Sequence, residues 1–116
     1  MINFEKREFK MGDKEVYKHM HQDTLAKLDA MRTIAGFPFV LTSTYRDKEY
    51  NKKVGGAPNS SHTRGRAVDI RISSSAERYK AVQAALFAGF TRIGIAEEFV
   101  HVDDDPSLPQ AVIFTY

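Results

Sequence analysis

The sequence predicts an α+β domain in which a small, largely antiparallel sheet is flanked by helices. Two stretches carry apolar residues at a roughly helical period, whereas others alternate or concentrate β-branched residues, and Gly or Pro separates them. With 116 residues, 42% of them hydrophobic and 28% charged, we expect a single domain over residues 1–116 that buries a modest core.

The N-terminal half predicts an arm, a long helix, a strand and a short helix. Residues 1–12 are mixed in character, and we expect Phe4 and Phe9 to pack onto the core. Apolar residues then recur at about 3.6 positions, which predicts a helix over 13–34 ended by Gly36. The other elements of this half are a strand over 39–43, a short helix over 47–54 and a Gly-Pro loop over 55–58.

The C-terminal half predicts one helix and several short strands. Residues 67–72 alternate, so that Val68 and Ile70 share one face and Asp69 lies on the other. Serines at 73–75 are suitable caps for a helix over 76–88 that Gly89 ends. The remaining predicted strands are 92–95 and 99–102, joined as a hairpin by residues 96–98, and a last strand over 111–115.

Composition narrows the classes of function. The chain has no cysteine, so any transition metal must be bound by His, Asp or Glu. The formal net charge is +2, and the basic residues near the Gly-Pro loop form either a solvated face or a surface that attracts an anionic polymer. No zinc-finger spacing or RNP-type aromatic pattern is present, so we do not expect nucleic-acid binding.

The sequence also carries expectations about location and assembly. No apolar run resembles a signal peptide or a membrane span, so we expect synthesis in the cytoplasm and no membrane insertion. If the protein acts outside the cell, another component must release it. We expect a monomer.

Three residues form a candidate metal site. His62 and Asp69 lie seven positions apart in a loop that runs into a strand, and His101 lies inside a later strand. If the two strands are neighbours, alternation places Asp69 and His101 on the same polar face, where His62 can join them. Two imidazoles and one carboxylate match a catalytic zinc site that leaves one position open for water. The alternative is three ordinary polar residues at the surface.

The other two histidines, His19 and His21, are expected to have surface or capping roles. They are two residues apart on the predicted helix, so they lie on different faces of it.

A hydrolytic site also needs a proton acceptor. Glu98, three residues before His101, is the leading candidate, and Glu97 is a weaker one. Strict alternation would place Glu98 on the opposite face from His101, so the role requires a bend or bulge in the hairpin.

Three further polar residues are candidates for supporting roles. Arg46 is expected to bind a substrate carboxylate or the developing oxyanion, or else to pair at the surface with a nearby acid such as Asp47. Asp103 is expected either to accept the second N–H of His101 or to begin a turn. Ser60 either contacts substrate or caps the loop.

These segments resemble a known family. The run SSHTRGRAVD at 60–69 with FVHVD at 99–103, preceded by TSTYR at 42–46 and NKKVGGAPNS at 51–60, is similar to the zinc peptidoglycan peptidases of the D-Ala-D-Ala carboxypeptidase and L-alanyl-D-glutamate endopeptidase type. The resemblance covers roughly residues 37–104. It implies the small α+β fold shared with the hedgehog signalling domain.

By the same resemblance, the zinc ligands are His62, Asp69 and His101, the catalytic carboxylate is Glu98, and Arg46 stabilises the intermediate or anchors substrate. The resemblance implies a Zn²⁺ cofactor and a peptidoglycan stem peptide as substrate, and the lack of a leader is similar to phage endolysins. The alternatives are a non-catalytic zinc domain that binds cell wall or a protein, and a nucleic-acid-binding protein.

Overall fold

The computed structural model describes residues 1–116 and confirms the predicted α+β fold. The helices are α1 (Gln22–Ala35), α2 (Lys48–Lys53) and α3 (Ser75–Ala88). The strands are β1 (Lys10–Met11), β2 (Lys14–Glu15), β3 (Leu41–Ser43), β4 (Ala67–Arg71), β5 (Arg92–Ile95), β6 (Phe99–Asp103) and β7 (Val112–Thr115). Short 3-10 turns occupy Lys6–Glu8, Tyr17–His19 and Ser61–Arg64. None of the helices is both long and apolar enough to cross a membrane.

The main sheet has five strands in the order β3-β4-β6-β5-β7. Every pairing is antiparallel except that of β5 with β7, which is parallel. In the central pair of β4 and β6, Asp69 lies opposite His101, and Ala67 lies opposite Asp103. The predicted convergence of Asp69 and His101 therefore follows from the register of these two strands.

One face of this sheet is covered by α1 and α3, which also contact each other. Val68, Ile70, Val100 and Val102 are fully buried from the two central strands. Full burial of such side chains contributes about 1.5–3 kcal/mol each. The side chains that alternate with these valines and isoleucine along the two strands therefore point to the opposite face of the sheet, where the candidate site lies.

The first predicted helix begins later than expected, at Gln22. The preceding residues form a two-stranded hairpin of β1 and β2, turned at Gly12 (φ +64°), and a 3-10 turn. Val16 and Met20 are buried from this irregular segment at a spacing that imitates a helix, which explains the error. Phe9 packs in the core, as predicted for the arm.

The other boundaries differ by a few residues. Strand β3 begins at Leu41 instead of residue 39, because Phe39 packs into the core cluster beside the sheet. The backbone N–H of Tyr50 donates to Asp47 Oδ1 (2.7 Å), and this cap starts α2. The cap of α3 is Ser74, within the serine run expected to hold it.

Candidate metal centre

The three predicted metal ligands converge on the polar face of the sheet. His62 comes from the 3-10 turn before β4, Asp69 from the middle of β4 and His101 from the middle of β6. One ligand atom from each residue lies within 4.8 Å of the other two, and all three residues are buried. His62 Nε2 lies 3.2 Å from Asp69 Oδ1, and His101 Nδ1 lies 2.9 Å from the same oxygen.

The second ring nitrogen of each histidine is already occupied. His62 Nδ1 lies 2.7 Å from the carbonyl oxygen of Thr44, to which it donates. His101 Nε2 lies 2.6 Å from Asp103 Oδ2 and donates to that carboxylate. These partners fix the tautomers and aim one lone pair of each ring at Asp69, as outer carboxylates and carbonyls do around bound metals.

This arrangement fits a small divalent cation. With Nδ1 of His62 donating to Thr44, its Nε2 lone pair faces an Asp69 oxygen, so two acceptors oppose each other unless a proton or cation lies between them. Tetrahedral zinc with bonds of 2.0–2.1 Å places its ligand atoms about 3.3 Å apart, close to the two separations from Asp69. The donor set contains only nitrogen and oxygen, which suits zinc and several other transition metals.

The loop that carries His62 is built against the N-terminal segment. Ser60 Oγ accepts from the backbone N–H of His62 (3.2 Å), so Ser60 caps this turn and also lines the cavity. Gly65 ends the turn at φ +69°, and a Cβ there would lie 2.1 Å from the carbonyl oxygen of His19. The backbone N–H of His21 donates to the Gly65 carbonyl (2.9 Å), so only glycine permits this close contact.

The other two histidines lie outside the metal centre. The His21 side chain accepts from the backbone N–H of Asp23 (3.3 Å) and caps α1, while the His19 ring stacks on Tyr45 with centroids 4.5 Å apart. Their expected surface and capping roles agree with these contacts.

Asp103 connects the metal centre to the rest of the sheet. Besides His101, its carboxylate contacts Arg92 Nε (3.0 Å) and accepts from Ser61 Oγ (3.1 Å). Burial alone would raise the pKa of Asp103, but the bond from His101 and the charge of Arg92 hold it below its usual range. Asp103 is therefore ionised at neutral pH and stabilises positive charge on His101.

The ionisation of the ligands follows from the same contacts. Burial would raise the pKa of Asp69, yet the hydrogen bonds from His101 and His62 hold it well below normal. Burial would lower the pKa of His101, yet Asp103 and Asp69 raise it above its usual value. The two carboxylates therefore favour a positive charge at the histidines, supplied either by a proton or by a metal cation.

Arg46 points into the same cavity. Its Nε donates to Ser43 Oγ (2.9 Å) and its Nη1 donates to Asn51 Oδ1 (3.1 Å), which leaves Nη2 at 3.8 Å from Asp69 Oδ2. The alternative of surface pairing with Asp47 is not what the contacts show, because Arg46 makes its only ion pair with Asp69. Asn51 is 3% exposed and also donates to the carbonyl of Ala57 (2.8 Å).

A cavity of about 470 Å³ opens over the three ligands. Its lining includes the Gly55–Ala57 loop with Arg46, and also the rings of Phe99, Phe114 and Tyr116. The last two rings lie over Gly94 of β5, where a Cβ would come within 2.5 Å of Phe114. Burial and the nearby Asp69 charge raise the pKa of Tyr116 to about 12, so its hydroxyl keeps its proton at neutral pH.

Glu98 lies outside this cavity. It is exposed at the bend between β5 and β6, and it lines a neighbouring cavity together with Glu97. Its carboxylate makes no ion pair with the ligand histidines, whose charged partners are Asp69 and Asp103. The structure thus brings together His62, Asp69, His101, Asp103, Arg46 and Ser60, but it does not bring Glu98 to them. The role of Glu98 as base stays a prediction.

Several residues of the site were missed from the sequence. They are the Thr44 carbonyl, Asn51, Arg92, Phe114 and Tyr116. A signal existed for the last two, because a lone glycine inside a strand marks close approach of another group, and Gly94 is such a glycine. Nothing local in the sequence marks Asn51 or Thr44, since their roles depend on tertiary contacts.

Comparison with known proteins places this site in a family. No curated protein sequence matches the chain at a significant level. A family model described as Peptidase M15 matches residues 2–103, which includes all three candidate metal donors and both residues that orient the two histidines. Because this match spans most of the chain, the protein belongs to the peptidase M15 family.

Proposed function

We propose that the protein is a zinc-dependent peptidase that hydrolyses amide bonds in the stem peptides of bacterial peptidoglycan, and that it acts at the cell wall. The observation that supports this proposal is the convergence of His62, Asp69 and His101 in an open cavity of a peptidase M15 chain. Three protein donors leave a fourth position for water, as a hydrolytic zinc site requires.

The donor set supports zinc among the candidate metals. When bound, zinc lowers the pKa of its water to about 7 and polarises the scissile carbonyl. Thr44 and Asp103 keep the two imidazoles oriented, so the ligands need little rearrangement when the metal enters.

Arg46 is the proposed electrophilic partner. Two of its guanidinium nitrogens are bound by Ser43 and Asn51, and the third faces the ligand group. A planar cation fixed in this way donates hydrogen bonds to an oxyanion without losing much side-chain entropy.

Glu98 is the proposed proton acceptor for the attacking water. Its exposed carboxylate lines the second cavity, which shares Phe99 with the metal cavity. Reaching the water requires the Glu98 side chain to move toward the metal cavity, and catalytic hydrogen bonds often form only in the substrate complex. The amine that leaves then takes this proton.

We propose the L-alanyl-D-glutamate bond over the D-Ala-D-Ala bond. A second cavity adjoins the metal cavity, so a peptide is able to extend beyond the ligands instead of ending beside them. Glu98 and Arg46 are both expected to serve either cleavage.

The decisive experiment is mass spectrometry of defined muropeptides incubated with the zinc-loaded protein. We expect fragments with a new amino terminus at the glutamate residue. Release of free D-alanine would instead assign carboxypeptidase activity, and murein binding without any cleavage would indicate a non-catalytic zinc domain. Full activity after complete metal removal would contradict the mechanism.

A further inference from the structure

A second cavity of about 630 Å³ lies directly beside the metal cavity. Phe99 lines both of them, so the two cavities share this residue. The other residues around the second cavity come from the middle of β3, from the end of β4 and the two residues after it, and from the bend before β6: Thr42, Arg71, Ile72, Ser73, Glu97 and Glu98.

The strand register fixes the position of this cavity relative to the metal ligands. Arg71 pairs with Phe99 two residues along from the pair of Asp69 and His101, so all four lie on one face of the sheet. Two residues of strand span about 6.6 Å. An extended peptide covers a similar distance in two residues, so a substrate cleaved at the ligands would place a neighbouring group in the second cavity.

The second cavity is lined by charged side chains of both signs, and those of Arg71 and Glu97 make no ion pair. Arg71 is exposed and takes part in none of the ion pairs of the chain, and the Glu97 carboxylate is equally unpaired. The backbone carbonyl of Glu97 accepts from Arg78 Nη2 (2.6 Å), which ties the bend to α3. Arg71 and Glu97 do not pair with each other, and both line the same cavity of about 630 Å³, so one ligand in that cavity is able to contact both side chains.

We propose that the second cavity is a substrate subsite for a group that carries both a carboxylate and an ammonium. Arg71 binds the carboxylate, and Glu97 binds the ammonium. A simple anion would meet repulsion from the two glutamates, and a simple cation would meet repulsion from the arginine, so a zwitterion matches the set best. This subsite rests on the proposed peptidase function, of which it defines the substrate more narrowly.

The test compares three synthetic peptides that share one scissile bond. The first peptide carries, two residues from that bond, a group with a free carboxylate and a free amine. In the second peptide the carboxylate of this group is amidated, and in the third its amine is acetylated. Each is assayed with the zinc-loaded wild type, with Arg71→Gln, with Glu97→Gln and with a control, Lys80→Gln, whose side chain is exposed on α3 away from the cavity.

We expect Arg71→Gln to raise KM about fivefold on the free peptide and to leave KM unchanged on the amidated one, as for a partly exposed charge-assisted contact. Glu97→Gln should show the same pattern with the acetylated peptide. Neither should change kcat by more than about twofold. Equal effects on all three peptides, or no effect on any, would overturn the subsite.

A second measurement separates this proposal from the peptidase function itself. If the wild type cleaves none of the peptides, the proposed function fails, and the free peptide is titrated into the protein and followed by NMR. Shifts confined to residues 70–73 and 97–99, absent with a further peptide that is both amidated and acetylated, would support the subsite. Binding that leaves these resonances unmoved would reject it.

Discussion

The centre of the β4–β6 pair and the bend that precedes β6 differ in burial and in hydrogen bonding. They are close along the chain, since His101 at the centre follows Glu98 at the bend by three residues. At the centre, Asp69 and His101 are 7% and 4% exposed, and each makes hydrogen bonds to more than one partner. At the bend, Glu98 is exposed and its carboxylate is unpaired. Strand register therefore brings together two of the three candidate metal ligands, Asp69 and His101, whereas no contact in the structure fixes the carboxylate of the proposed base.

The largest effect should come from removing a ligand at the centre. Asp69→Asn removes the negative charge that contacts both histidines, so we expect zinc affinity to fall by at least 100-fold and activity to fall about 1000-fold. Isothermal titration with zinc and a muropeptide assay measure the two quantities. The matched control is His19→Gln, which changes a histidine outside the site. Stoichiometric zinc and normal kcat in Asp69→Asn would refute the assignment of the metal centre.

A substitution at the bend tests whether the exposed carboxylate of Glu98 acts as the general base. Glu98→Gln is expected to lower kcat about 100-fold, the usual contribution of a general base, while zinc affinity stays at the wild-type level. Glu49→Gln, at an exposed site on α2, is the control for loss of a surface charge. If Glu98→Gln keeps its kcat, the bend does not supply the base.

Asn51 is buried like the residues at the centre of the β4–β6 pair, although it contacts none of the candidate metal ligands. Asn51→Ala removes the acceptor that binds Arg46 Nη1, so we expect kcat to fall about tenfold with unchanged zinc affinity. Asn51→Asp keeps an acceptor for Arg46 and should recover part of that loss. Equal loss in both variants, together with a matching drop in Tm, would indicate that Asn51 acts in packing alone.

The smallest effect concerns pH. The pKa of His101 is raised, so its bond to Asp103 stabilises the metal-free protein below about pH 6.5, and this contribution is lost as pH rises through the folded-state pKa. Zinc requires the unprotonated ring, so zinc affinity should instead increase severalfold between pH 6 and pH 8. Thermal unfolding of the metal-free and zinc-loaded protein at both pH values would give opposite trends. Parallel trends would contradict this account.

The comparison also explains what the sequence was able to predict. Period-two alternation around Val68 and Val100 placed Asp69 and His101 on one face, and the register confirms it. Helix caps such as Gly36 and Gly89 were also predicted, because local backbone conformation decides them.

The rest depends on contacts between distant segments. The prediction of helix over residues 13–21 was wrong because Val16 and Met20 are buried at a helical spacing for tertiary reasons. Asp103, Asp104 and Asp105 are all buried, which is rare for carboxylates. Asp104 contacts Lys27 Nζ (2.8 Å), and Asp105 contacts Arg64 Nε (2.6 Å). No local sequence pattern predicts these ion-pair partners, because they lie far away along the chain.

The contact between Gly65 and residues 19–21 has a consequence for folding. The loop that presents His62 packs at Gly65 against residues 19–21, so its final position depends on a contact between segments that are far apart in sequence. Long-range contacts of this kind form late, because the entropy of closing large loops must first be overcome. A zinc-sensitive probe should therefore follow the final stage of refolding, and the metal would act on the unfolding rate more than on the initial collapse.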